Sequence, residues 1–181
     1  AGYGKSVFVS QWLDRVGNPY CWISLEDDCN DVRIFLNYLV ESLKNLDQAG
    51  ITELESFGRS SVLPQSKELA KSIVNCIHNM QDGLYVILDD YHLISNQEIH
   101  RVVNEVVRHY PEQHKLILIS RNDPPLNLRR LSAYQGIHEI RMVDLMFTVE
   151  EIMALSMAQL QQSIPLEIAK GILEQTEGWV V

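Results

Sequence analysis

The chain has 181 residues, of which 46% are hydrophobic and 22% are charged, a size and composition that suit about one folded domain with a small appendage. Its 15 Lys and Arg residues against 24 Asp and Glu residues give a net charge of −9, which argues against a surface that grips nucleic acid through its phosphates. No apolar run approaches the ~18 residues of a membrane span, and the three cysteines lack CxxC spacing, so we expect a cytoplasmic protein without membrane contact or structural zinc.

The first residues contain half of a phosphate-binding motif. Gly4-Lys5-Ser6 matches the end of GxxxxGK[ST], so we expect the chain to be a piece of a longer protein that starts inside this motif. In such a loop, glycines let backbone N–H groups surround an oxyanion, the lysine reaches the β- and γ-phosphates, and the serine hydroxyl ligates Mg²⁺ at the start of the next helix. The alternative is an ordinary turn that leads into a helix.

After this motif the sequence alternates short apolar runs with helical patterns, which is typical of a parallel α/β sheet. Residues 20–25 form a compact apolar run and predict a strand. Asn30 and Asp31 can cap the helix that follows, whose apolar positions recur at helical spacing. Between residues 49 and 64 this periodicity lapses, so we predict a loop there, followed by a second helix that ends at residues 82–83.

Two runs that are apolar on both faces come next. Residues 84–88 and residues 116–119 have the pattern of strands buried on both sides, with an amphipathic helix between them. Residues 137–140 predict a last strand. Together with residues 20–25, these runs predict an α/β fold built on a parallel sheet.

The end of the chain has only helical patterns. Thr148 and Glu151 match a capping box, and Pro165 begins a further helix. We therefore predict a β/α core over residues 1–143 and a small helical subdomain over residues 144–181.

Charged side chains follow both buried strands. Asp89 is placed to hold Mg²⁺ through its water shell, and Asp90 is placed to orient or polarise an attacking water. The alternative for this pair is a helix cap or a solvated loop. Arg121 follows the next strand, at the edge of an open α/β sheet where ligands bind, and is placed to sense a γ-phosphate. The alternative for this cation is a salt bridge to Asp89, Asp90 or Asp123.

These elements, in this order, resemble the ATPase domain of MalT-type transcription activators, which are large ATP-binding LuxR-type regulators within the STAND class of P-loop NTPases. The resemblance covers the whole chain, and its LDDYHLI and SRNDPPL blocks together are highly specific. The blocks that carry it are GYGKS at 2–6 with QWL at 11–13, WISL at 22–25, LDDYHLI at 88–94, SRNDPPL at 120–126, FT at 147–148 and TEGW at 176–179.

The resemblance implies a P-loop NTPase with a three-layer fold and a parallel sheet of strand order 5-1-4-3-2, here lacking its first strand, followed by a small helical subdomain. It also implies a molecular switch that holds ADP at rest and exchanges it for ATP when an inducer is sensed. The ATP-bound form multimerises and activates transcription, and slow ATP hydrolysis resets it. DNA binding belongs, by the same resemblance, to a C-terminal domain outside this chain, so no direct nucleic-acid contact is expected from the chain itself.

The resemblance also implies roles for single residues. The residues implied to contact ATP or ADP are Gly2, Gly4, Lys5, Ser6 and Val7. Ser6 and Asp89 are the implied Mg²⁺ ligands, and Asp90 and Arg121 are the implied catalytic residues, with the role of Asp90 less defined than the others.

The missing first strand has expected consequences. It predicts unpaired backbone groups beside the fourth and fifth strands, which are templates for pairing between chains. We therefore predict self-association, a repositioned segment or collapse of the sheet, and nucleotide binding much weaker than in the intact domain, with no hydrolysis by this piece alone. Two other functions stay open: a catalytic P-loop ATPase or kinase that acts on a small molecule, and an inert structural fragment whose half P-loop does not function.

Overall fold

The computed structural model describes residues 4–46, 51–81, 83–127 and 136–179. The chain divides into two compact units, one formed by Gln11–Ile137 and the other by Ala1–Ser10 with His138–Val181. The subdomain boundary predicted at residue 143 stays a prediction.

The helices and strands of the described residues are, in chain order, α1 (Lys5–Val16), β1 (Tyr20–Ser24), α2 (Val32–Lys44), α3 (Thr52–Arg59), α4 (Ser66–His78), β2 (Tyr85–Asp89), α5 (Gln97–Arg108), β3 (Lys115–Leu118), α6 (Met142–Leu145), α7 (Val149–Leu160) and α8 (Leu166–Thr176), with short 3-10 helices at Asp27–Asn30 and Tyr91–Leu93.

The sheet consists of three parallel strands in the order β1-β2-β3. Residues 86–88 of the central strand β2 are buried, as their uninterrupted apolar sequence predicts, and Asp89 at the end of the strand is buried too. In the described part of the chain β3 is an edge strand, and its residues 116–118 are half-buried. Each strand lies within one residue of a predicted one. The parallel sheet with its flanking helices confirms the α/β class.

The main core lies between one face of this sheet and helices α2, α4 and α5. Strand side chains that alternate along the chain enter it, in keeping with the two-residue period of a strand: Cys21, Ile23, Val86 and Leu88. Helix α2 begins as predicted, because the Asp31 carboxylate accepts from the N–H groups of Arg33 at 2.7 Å and Ile34 at 3.3 Å. Three of the helix's buried side chains are Leu36, Leu39 and Leu43.

The strand predicted over residues 137–140 is wrong. These residues have no regular structure, and Ile140 is 55% exposed. Ile137 and Ile140 stand three positions apart, so they cannot share one face of a strand. A strand also needs a hydrogen-bonding neighbour, and no described strand pairs with this segment. Instead, Arg141 Nε donates to the Glu139 carboxylate at 3.0 Å, just before α6.

The loop predicted over residues 49–64 is also wrong in part, because it contains helix α3. Ile51 and Leu54 are buried and Phe57 is half-buried, so one side of this helix faces the core. The helix escapes detection in the sequence for two reasons. It has only eight residues, too few to show a clear helical period, and it contains Gly58, a poor helix former.

The C-terminal end of α3 is held by Arg33 of α2. The guanidinium donates through Nη1 to the carbonyls of Phe57 and Gly58 at 3.4 Å and to that of Ser60, and through Nη2 to the carbonyl of Ser61 at 2.9 Å. The last carbonyls of a helix have no partner within the helix, and a cation beside them also interacts favourably with the helix dipole. Arg33 therefore fixes α3 against α2.

Arg33→Ala is expected to lower the free energy of unfolding by about 1–3 kcal/mol, because several backbone carbonyls lose a charged donor. Urea denaturation measures this difference. Arg59→Ala is the matched control. Arg59 is the last residue of the same helix, and its side chain is 81% exposed and lies 3.8 Å from the Glu55 carboxylate. This control should leave stability nearly unchanged. Equal losses in the two variants would show that Arg33 does not act as a clamp.

The second unit contains helices α6, α7 and α8. Its predicted capping box is confirmed: Thr148 N–H donates to Glu151 Oε2 at 2.8 Å, and Glu151 N–H donates to Thr148 Oγ1 at 3.2 Å. Helix α8 begins directly after Pro165, also as predicted. Helices α7 and α8 pack together, with Ile152 and Ala169 buried. Among the helices of the described residues, none combines the length and the apolarity needed to cross a membrane.

Candidate functional site

The two adjacent acids lie at the carboxyl end of the central strand. Asp89 is the last residue of β2 and is 7% exposed, and its carbonyl accepts from Leu25 N–H at 3.0 Å. Asp90 begins the next turn with φ 55° and ψ 36°, a left-handed conformation that aspartate tolerates better than most residues. Asp90 N–H donates to Asp89 Oδ1 at 2.9 Å. One carboxylate is therefore buried in the strand, and the other projects from a turn with its side chain half-exposed.

His92 lies beside the second acid. Its Nδ1 is 3.7 Å from Asp90 Oδ1, and this nitrogen is buried without a hydrogen-bond partner. Buried polar atoms without a partner are rare in proteins, and here a small movement of either side chain would form a hydrogen bond. His92 is not among the site residues predicted from the sequence. Its signal there is the spacing Asp-x-His directly after a buried strand.

Tyr91 lies between these residues in the chain and contacts α5. Its Oη is 2.9 Å from Nδ1 of His100, and both residues are buried. Burial lowers the pKa of His100 below its ordinary value, although a hydrogen bond with the Ile94 backbone acts in the opposite direction. Burial also raises the pKa of Tyr91. A buried hydrogen bond thus joins the tyrosine hydroxyl to the imidazole and ties the turn after β2 to α5.

The segment after β3 starts at the same edge of the sheet. Ile119 N–H donates to the Leu88 carbonyl at 2.9 Å, and the Ile119 carbonyl accepts from Tyr91 N–H at 2.9 Å. Arg121 follows two residues later with an exposed side chain. The structure therefore places the two predicted acids and the predicted arginine at the ends of adjoining strands.

Asn30 joins the turn after β1 to the turn after β2. Its Oδ1 accepts from the N–H groups of Ser95 at 2.6 Å and Asn96 at 3.1 Å, and its Nδ2 donates to the Leu93 carbonyl at 2.9 Å. The cap of α2 is provided by Asp31, so Asn30 acts as a link between turns rather than as a helix cap. The sequence alone gives no sign of this link.

The residues of the half phosphate motif begin α1, in the second unit. Gly4 has φ +64°, the left-handed region that favours glycine, and its carbonyl accepts from Phe8 N–H at 2.7 Å. Lys5 and Ser6 are half-buried and Val7 is 59% exposed, and the first turn of this helix contains no acidic residue. The first turn of α1 therefore contributes no carboxylate of its own that would compete with an anion. Gly2 lies outside the described residues.

The donor groups suit a magnesium nucleotide by their chemistry. Mg²⁺ binds oxygen ligands and usually takes only one or two from the protein, with water and phosphate supplying the rest. The Asp89 carboxylate in one unit and the Ser6 hydroxyl in the other are each an oxygen group of this kind, by chemistry alone. Among the described residues no three His, Cys, Asp or Glu side chains are grouped as a metal centre.

The parallel sheet with flanking helices, with acids at the carboxyl end of its central strand, makes this an α/β protein. In open sheets of this kind, ligands generally bind at the carboxyl ends of the strands. No family model matches the chain. It is 30% identical over 179 residues to the HTH-type transcriptional regulator MalT of Vibrio campbellii, 29% identical to that of Vibrio parahaemolyticus and 28% identical over 180 residues to that of Yersinia pestis. Each match covers 99% of this chain and 20% of the relative.

The chain therefore matches a region of these MalT regulators over nearly its whole length, a similarity that its LDDYHLI and SRNDPPL blocks predict. It spans about a fifth of the length of the curated relatives it matches.

Proposed function

We propose that the chain is the nucleotide-binding switch region of a transcription regulator. Within the full-length protein that contains it, this region binds ATP or ADP with Mg²⁺ and hydrolyses ATP slowly, and the bound nucleotide controls self-association and, through parts of the protein outside this chain, transcription. The observation that carries this proposal is the buried Asp89 followed by Asp90 at the carboxyl end of the central strand. The glycine-led start of α1 and the similarity to proteins named as transcriptional regulators support it.

Each residue has a role that follows from its chemistry. Lys5 and the first N–H groups of α1 bind the phosphate oxygens, because both present positive charge to an anion. Mg²⁺, when bound, neutralises charge on the phosphates. Asp90 orients the attacking water from its half-exposed turn. Arg121 stabilises the negative charge that develops on the transferred phosphoryl group.

Lys5→Ala in the full-length protein that contains this chain is the direct test. We expect binding of Mg·ATP to weaken by on the order of 100-fold, because the variant loses a charge-assisted bond to the phosphates. Isothermal titration calorimetry with ATP and with ADP measures the affinity. Lys71→Ala, which removes an exposed lysine from α4, is the matched control and should bind as the wild type does.

Three results separate the proposal from its rivals. If the Lys5→Ala variant binds nucleotide as tightly as the wild type does, or if the wild type binds neither ATP nor ADP, the proposal is contradicted and an inert fragment is favoured. Steady production of a phosphorylated small molecule identifies a kinase instead. Binding that is lost in Lys5→Ala and kept in Lys71→Ala supports the switch.

A further inference from the structure

Helix α5 carries two polar side chains that each make a contact with a different strand end. His100 contacts the turn after β2, through its Nδ1 and the Tyr91 hydroxyl at 2.9 Å. Asn104, one helical turn further on, contacts the segment after β3, because its Oδ1 accepts from Asn127 N–H at 3.0 Å. The two are also joined to each other, since Asn104 Nδ2 donates to the His100 carbonyl at 3.0 Å.

The bond within the helix decides where the asparagine side chain points. With its NH₂ group donating to the carbonyl four residues earlier, the amide of Asn104 is fixed and its oxygen is presented to Asn127. Asparagine is a poor residue for a helix interior, because its side chain competes for backbone groups. Asn104 is a weak helix former, yet both its Nδ2 and its Oδ1 are hydrogen-bonded, and the Oδ1 partner lies in a loop 23 positions away. This combination points to a role of Asn104 in that loop.

The loop concerned is the one that carries Arg121. Its beginning is fixed by the sheet, where Ile119 N–H donates to the Leu88 carbonyl at 2.9 Å. Its far end is fixed by Asn104, and Leu126 beside that end is buried. Arg121 therefore lies between two anchors, in a segment that has no regular structure of its own.

The turn that carries Asp90 is anchored in a parallel way. Tyr91 N–H donates to the Ile119 carbonyl at 2.9 Å, and the Tyr91 hydroxyl is hydrogen-bonded to Nδ1 of His100. The same helix thus holds the turn of the predicted catalytic acid and the loop of the predicted catalytic cation. Correct alignment of such groups matters, because a displacement of about 1 Å can cost on the order of 100-fold in rate.

We infer that Asn104 is a positioning residue: through its bond to Asn127 it sets the place of the Arg121 loop relative to the turn of Asp90. This inference rests on the proposed function. Helix α5 would thus fix the position of Arg121 relative to Asp90, although neither residue belongs to that helix.

The test compares three substitutions in the full-length protein that contains this chain. Asn104→Ala removes both bonds of the side chain, whereas Asn104→Asp keeps an oxygen that accepts from Asn127 N–H. Asn75→Ala, at an exposed position of α4, is the control for replacing a helical asparagine. We expect kcat for ATP hydrolysis to fall by on the order of 10- to 100-fold in Asn104→Ala, with KM and the thermal midpoint little changed. Asn104→Asp should recover most of the rate, and Asn75→Ala should match the wild type.

Hydrogen exchange at the Asn127 amide gives a readout that does not depend on catalysis. It should be slow in the wild type and in Asn104→Asp, and faster in Asn104→Ala. An Asn104→Ala variant that hydrolyses ATP at the wild-type rate, or an Asn104→Asp variant no better than Asn104→Ala, overturns the inference alone. A wild-type protein that does not hydrolyse ATP overturns the proposed function and this inference with it.

Discussion

Asp90→Asn in the full-length protein that contains this chain should lower the rate of ATP hydrolysis by on the order of 10²- to 10⁴-fold, the contribution typical of a general base. The rate falls because an amide cannot take up a proton. ATP affinity should stay close to that of the wild type, because the amide keeps the shape of the side chain. Asparagine is the suitable replacement, since it also tolerates the left-handed φ of 55° found here, whereas alanine would add backbone strain. Phosphate release at saturating ATP measures the rate, and calorimetry measures the affinity.

Asp89→Asn should behave differently from Asp90→Asn. Asp89 is the buried carboxylate proposed to hold Mg²⁺, so Asp89→Asn should weaken the effect of Mg²⁺ on ATP binding as well as lower the rate of hydrolysis. Glu68→Gln, which neutralises an exposed acid on α4, should change neither quantity. If Asp89→Asn and Asp90→Asn lowered affinity and rate to the same extent, the division of roles between the two acids would be refuted.

Leu88→Ala is expected to lower the free energy of unfolding by about 2–5 kcal/mol, the range for a leucine removed from a close-packed core. Leu88 is 3% exposed and lies on the central strand, so its removal leaves a cavity that the neighbouring strands cannot easily fill. Leu118 is the matched comparison. It pairs with Leu88 in the register of the sheet and faces the same core, but it lies on the edge strand and is only half-buried.

Leu118→Ala should therefore cost roughly half as much as Leu88→Ala, because less apolar surface returns to water and the edge can relax around the gap. Urea denaturation of both variants, with equal slopes against urea, gives the two values. A larger loss for Leu118→Ala would mean that the edge of this sheet is more tightly packed than its half-buried side chains indicate.

The sequence predicts the sheet well because its signal is local and strong. Residues 84–88 are apolar at every position, which fits only a segment buried on both faces, and the structure places β2 in the centre of the sheet. The acids that follow it then have to lie at the carboxyl edge, beside the segment that follows β3. Helix caps at Asp31 and Thr148 are equally local and are confirmed.

The features that the sequence does not predict depend on contacts between distant parts of the chain. Helix α3 is stabilised by Arg33, 24 to 28 positions away from the carbonyls it binds. Asn30 contacts the turn after β2 across 63 to 66 positions, and no local pattern announces such a bond. The left-handed backbone of Asp90, which brings its carboxylate near His92, is likewise a property of the folded turn. The nucleotide roles of Gly2, Gly4, Lys5, Ser6 and Val7, of the two acids and of Arg121 stay predictions.

The link formed by Asn30 has a mechanical consequence for this edge of the sheet. The turn after β2 cannot change its path without releasing the bonds of Asn30 to Leu93, Ser95 and Asn96 together. Asn30 itself ends the 3-10 helix Asp27–Asn30 that follows β1, so a movement of one turn either carries the other with it or breaks these bonds. A displacement of the turn after the central strand that keeps these bonds intact would therefore also move the acidic residues that follow β1.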